Sequence, residues 1–93
     1  MDKAEAREIL GGEVARLRAQ SYSQLNALNG DSQHIDTAGP SGTEYQVEIQ
    51  AWWDDRKQEN LRVMVSIDDG GLRAIVPLTE SFIVAPDGSF VGE

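Results

Sequence analysis

An α+β fold, two helices followed by an antiparallel β-meander, is what the 93-residue sequence predicts, on three observations. Apolar residues recur at helical spacing through residue 28. They alternate with polar ones from residue 32 onward, and turn-forming residues sit at the boundaries between the runs. The expected architecture has both helices on one face of a four-stranded sheet, five-stranded if the C-terminal turn closes a short extra strand. One domain over residues 1–93 is expected, with helices at about 2–28 and the sheet at about 32–91.

The first helix is predicted over residues 2–19, because Ile9, Leu10, Val14 and Leu17 share one side. Asp2 and Glu5 suit its positive N-terminal end, and Arg16 and Arg18 its negative C-terminal end. Gly11-Gly12 interrupts it at about 1 kcal/mol per glycine relative to alanine. That cost predicts either a kink or a close approach to the sheet there. Ser21 and Gln24 have the spacing of a capping box that restarts a helix, Leu25 and Leu28 give it an apolar edge, and Asn29-Gly30 stops it.

In the sheet, Tyr45, Val47, Ile49, Ala51 and Trp53 alternate with polar residues and Trp52. Leu61, Val63, Val65 and Ile67 alternate with Arg62, Met64, Ser66 and Asp68, and Ala74, Val76 and Leu78 continue the pattern. Pro40-Ser41-Gly42 predicts a three-residue hairpin loop that sets Ile35 opposite Val47. Residues 54–60 form a polar loop that sets Ile49 opposite Val65. Asp69-Gly70 is the dipeptide of a two-residue type I′ turn, which pairs Ile67 with Leu72, Val65 with Ala74 and Val63 with Val76. Ala85-Pro86-Asp87-Gly88 predicts a last turn that brings Phe90 back to Val84. The helices should then cover Val47, Ile49, Trp53, Val63, Val65 and Val76.

Composition removes several functional classes. There is no cysteine, so disulfides, thiolate metal sites and thiol catalysis are excluded. Their absence in so small a chain favours the cytoplasm, as does a charged start, Asp2-Lys3-Ala4-Glu5, where a signal peptide has apolar residues. The formal net charge of −8 opposes binding to nucleic acid or an anionic membrane and permits a basic partner.

The predicted register also arranges the opposite face of the sheet. One row reads His34, Glu48, Ser66, Arg73. It holds the residue types of a hydrolytic triad in the wrong order, since Glu48 separates the base from the hydroxyl. Cross-strand charge pairing is the simpler account, and no catalytic residue is assigned. Asp54-Asp55 and Asp68-Asp69 lack the alternating oxygen pattern of a calcium loop and read as turn residues, so no metal site is assigned. No phosphate-binding or dinucleotide motif occurs, and no cofactor is expected.

Two further rows read Gln50, Met64, Ile75 and Trp52, Arg62, Pro77. Trp52 stands on a face that no helix covers. Trp52, Arg62, Met64, Ile75 and Pro77 therefore form a candidate interaction patch, of residue types common at interfaces. The competing account is that residues 79–93, with Phe82, Ile83 and Phe90, fold over it.

Ser21-Tyr22-Ser23-Gln24-Leu25, Tyr45-Gln46-Val47-Glu48-Ile49, Ile67-Asp68-Asp69-Gly70-Gly71 and Ala85-Pro86-Asp87-Gly88-Ser89-Phe90-Val91 together resemble small uncharacterised bacterial proteins of helix-then-β-meander type. The resemblance implies a fold and transfers no activity or catalytic residue. The expected function is a small non-enzymatic protein-interaction or regulatory module, acting on another protein or on itself. One alternative is a small-ligand binder or enzyme with a pocket between helices and sheet, using Tyr22, Gln33, Thr37 and Tyr45. A second is an acidic nucleic-acid mimic, although the carboxylates are scattered over helix, loops and sheet.

Overall fold

A computed structural model describes residues 2–70 and 77–93 and shows two helices leading into a four-stranded antiparallel sheet. Helix α1 spans Lys3–Arg18 and α2 spans Tyr22–Asn26. The strands are β1 (Ser32–Ala38), β2 (Glu44–Trp53), β3 (Leu61–Asp68) and β4 (Leu78–Val84), lying in the order β1-β2-β3-β4. Among the described residues no helix is long and apolar enough to cross a membrane.

Asp2 caps α1 by accepting the Glu5 N–H at 3.1 Å. The helix runs through Gly11-Gly12 without interruption. An added Cβ at either glycine meets nothing within 4 Å, so the close approach predicted there does not occur. The capping box of α2 is complete: Ser21 Oγ accepts the Gln24 N–H at 3.1 Å, and Gln24 Oε1 accepts the Ser21 N–H at 2.8 Å. Gly30, at φ +79°, ends the helical run, and its N–H donates to Ala51 O at 3.0 Å.

The first two hairpins have the predicted register. Ile35 faces Val47 across β1–β2, and Gly39 N–H donates to Thr43 O at 2.9 Å around the Pro40-Ser41-Gly42 loop. Ile49 faces Val65 and Trp53 faces Leu61 across β2–β3. Asp55 shapes that loop by accepting the N–H groups of Glu59 and Asn60 at 2.9 and 3.2 Å.

The third hairpin differs from the expectation. Strand β3 pairs with residues 78–84, so Ile67 faces Leu78, Val65 faces Glu80, Val63 faces Phe82 and Leu61 faces Val84. These pairs replace Ile67–Leu72, Val65–Ala74 and Val63–Val76, whose second members lie outside the described residues. A type I′ turn needs positive φ at both central residues. Gly70 has φ +70°, but Asp69 is not among the positive-φ residues. Instead Asp68 Oδ1 accepts the Gly70 N–H at 2.8 Å, the bond of an Asx turn. The final turn is as predicted: Ala85 N–H donates to Ser89 O at 2.8 Å, and Phe90 bridges back to Val84 without becoming a fifth strand.

Helix α1 packs over β3 and β4, and α2 over β3. Ala6, Leu10, Leu17 and Leu25 are buried against Val47, Ile49, Val63, Val65, Phe82 and Val84, and among the described residues the buried set holds no polar or charged group besides the hydroxyl of Tyr45. Trp53 is half-buried, and Val76 lies outside the described residues.

Two polar clasps tie the helix to the sheet. At its start, Glu5 accepts Tyr45 Oη at 2.8 Å, Ser41 Oγ at 2.7 Å and the Ser41 N–H at 3.0 Å. The Ser41 hydroxyl, and then the Tyr45 hydroxyl, hold the Glu5 carboxyl below its ordinary range. Burial and the Glu5 carboxylate push the Tyr45 phenol up to about 12. At the other end the Arg18 guanidinium lies 3.9 Å from the Phe90 ring centroid and grips the Glu93 carboxylate with both terminal nitrogens. Phe90 in turn meets Phe82 edge-on at 5.7 Å. The C-terminal segment is thereby drawn to the helix side of the sheet.

Candidate interaction surface

Because both helices lie on one face, strand alternation sends the other set of side chains to a face that no helix covers among the described residues. The register arranges these in rows. His34, Glu48, Ser66 and Thr79 form one, Ser32, Gln50, Met64 and Ser81 a second, and Trp52, Arg62 and Ile83 a third.

In the first row His34 Nε2 stands 3.3 Å from Glu48 Oε2, with both side chains well exposed. Glu48 separates His34 from Ser66, as the sequence predicts, and adjacent strands lie about 4.8 Å apart. A histidine two strands away does not reach the Ser66 hydroxyl, so the row has a cross-strand pair and not the geometry of a nucleophile with its base. Thr79 takes the place predicted for Arg73, which lies outside the described residues.

The third row carries the tryptophan. Trp52 is 39% exposed. Arg62 beside it does not stack freely: its Nε donates to Asp54 Oδ1 at 2.9 Å and its Nη1 to Ser81 Oγ at 3.1 Å. Next to Trp52, at the corner where β1 begins, a shallow open groove of about 380 Å³ is lined by Gly30, Asp31, Ser32, Gln50, Ala51 and Trp52.

The structure therefore keeps part of the predicted patch and changes the rest. Trp52, Arg62 and Met64 share the open face as expected. Pro77 precedes β4 and is not in the Trp52 row, while Ile75 lies outside the described residues. Ile83 and Ser81 take the neighbouring positions, because β4 begins later in the chain than the Asp69-Gly70 turn predicts. Residues 79–93 do not cover Trp52 by folding across the sheet. Residues 78–84 extend the sheet as its outer strand, and Phe90 goes to Val84 and Arg18.

Turn chemistry and ion pairing account for the acidic pairs. Asp54 is held by Arg62, Asp55 by two backbone N–H groups and Asp68 by Gly70. Among the described residues no three histidine or acidic side chains gather as a metal site would require. Of the polar groups considered for an internal pocket, Tyr22 and Tyr45 are committed to Glu59 O and Glu5, Gln33 is exposed and Thr37 is half-buried. No family model, no curated protein and no solved structure matches this chain.

Proposed function

We propose that the protein is a non-enzymatic interaction module that binds a basic, apolar segment of another protein on the helix-free face of its sheet, with Trp52 as the anchor. The observation that carries this reading is the 39% exposure of Trp52 on a face without a helical layer. A tryptophan buries 150–250 Å² when fully covered. At about 25 cal/mol per Å², leaving that fraction wet forgoes on the order of 2 kcal/mol. That is a large part of the stability of so small a domain.

The chemistry of the surroundings supports the choice of partner. Asp31, Asp36 and Glu48 stand on or beside the face around β1 and β2, and Arg62 is already neutralised by Asp54. The formal charge of −8 adds long-range attraction for a cationic segment. The groove beside Trp52 is lined by the polar side chains of Asp31, Ser32 and Gln50, which suit a Lys or Arg side chain of that segment.

A displayed peptide library selected on the immobilised protein tests this. Enriched sequences should combine Lys or Arg with Leu, Phe or Trp. Trp52→Ala should weaken their binding by about 2 kcal/mol or more, as removal of an interface anchor does, while the variant stays folded by circular dichroism. Equal binding by the variant, or a variant that fails to fold, overturns the reading.

A further inference from the structure

The two edges of the sheet are treated differently by the chain. The edge of β4 is guarded. Register places the charged Glu80 on its helix-side face, and the returning C-terminal segment donates Val91 N–H to Ile83 O at 2.9 Å, occupying that edge. Both are devices that prevent edge-to-edge pairing. Strand β1 has neither: it holds no proline, lysine or bulge, all seven residues pair in unbroken register with β2, and no described segment pairs with its outer edge.

Hydrogen-bond parity shows which groups that edge offers. Gly39 N–H bonds Thr43 O, so by alternation Thr37, Ile35 and Gln33 direct their backbone groups to β2. The N–H and C=O groups of Ser32, His34, Asp36 and Ala38 therefore point outward. All four residues are exposed.

We propose that this edge pairs with β1 of a second copy of the chain, antiparallel about a two-fold axis at Ile35, joining two sheets into one continuous sheet. This surface is the outer backbone edge of β1, which adjoins the face around Trp52 and shares Ser32 and Asp36 with its surroundings. Pairing centred on Ile35 overlaps all seven residues of the strand, and any other centre shortens the overlap. It sets His34 opposite Asp36 of the second copy and Ser32 opposite Ala38 of the second copy, which are the outward-pointing residues on both strands, as an antiparallel ladder requires. The His34 imidazole then faces an Asp36 carboxylate twice, because a two-fold interface repeats each contact. A centre at Asp36 would oppose two aspartates, and a centre at His34 two histidines. On the helix side, Ile35 meets Ile35 of the second copy. There is room for this because α1 lies over β3 and β4, leaving Ile35 and Thr37 only half-buried. The charge of −8 on each copy is screened beyond roughly 8 Å at physiological salt, so the contact itself governs association.

Sedimentation equilibrium from micromolar to millimolar protein should show mass rising from 10.2 kDa toward twice that value. Amide hydrogen exchange should slow with concentration at Ser32, His34, Asp36 and Ala38 and stay constant at Gln33, Ile35 and Thr37. His34→Pro removes an outward N–H that β2 does not use, and Asp36→Lys places a charge that guards edges. Each should weaken dimerisation by about tenfold or more at an unchanged melting temperature. If His34→Pro fails to fold, Asp36→Lys and the exchange pattern decide. A wild-type chain that stays monomeric throughout, or a dimer that survives Asp36→Lys, overturns the proposal. So does a dimer lost in Trp52→Ala, which would move the contact to the open face.

Discussion

Replacing Gly11 and Gly12 by alanine should stabilise the protein, although a sequence reading gives both glycines a structural purpose. Neither has positive φ, and an added Cβ at either meets nothing within 4 Å. The helix passes through both from Lys3 to Arg18. What remains is the cost of glycine in a helix interior, about 0.8–1.0 kcal/mol each, which arises from its greater freedom in the unfolded chain. The two side-chain directions differ by about 100°, so the substitutions share no partner and should add to about 2 kcal/mol. For a domain of this size that raises the melting temperature by about 8–16 °C. Circular dichroism melts and urea titrations of Gly11→Ala, Gly12→Ala and the double variant measure it. The urea slope should be unchanged, since the surface exposed on unfolding is the same. A variant that is neutral or destabilised would refute the reasoning, by showing that one glycine is held against a neighbour or that the helix bends in solution.

Glu5 links stability to acid. Its carboxyl is held below the ordinary 4.5, so its contribution is present above pH 4.5 and is lost as pH falls through the lowered value. Thermal melts of Glu5→Gln should therefore lose less on acidification than the wild type, and equal losses would count against the Glu5–Ser41–Tyr45 clasp. The Tyr45 phenol, raised from 10.0 to about 12, works in the opposite direction: its contribution is complete below pH 10 and is lost as pH rises through about 12. Ser21→Ala removes one half of the α2 capping box and should cost about 1 kcal/mol in urea titration, an outcome that a variant within error of wild type would exclude.

Much of the fold is legible in the sequence because its signals are local. The capping box of Ser21 and Gln24, the stop at Gly30 and the loops at residues 40–42 and 54–60 each depend on a few neighbouring residues. Alternation then forces the registers Ile35–Val47 and Ile49–Val65, since a slip of one residue would turn every apolar side chain to water. The same rule is silent about the third hairpin. Moving the partner of Ile67 from Leu72 to Leu78 is a shift by an even number of residues, so both registers bury one apolar set and expose the other. Local chemistry favoured the nearer partner through Asp69-Gly70. Tertiary packing selected the farther one, which buries Phe82 and Val84 against Val63 and Leu61 and lets Phe90 close on Arg18. That choice also set the candidate surface. The sequence by itself placed Trp52, Arg62 and Met64 on one face, opposite the set that the two N-terminal helices cover. Only the tertiary structure decided that residues 79–93 leave Trp52 in water, that Ile83 and Ser81 are its neighbours in place of Ile75 and Pro77, and that one sheet edge is closed while the other is open. Those outcomes depend on which distant segments find each other, a competition between whole burials that no short window of residues encodes.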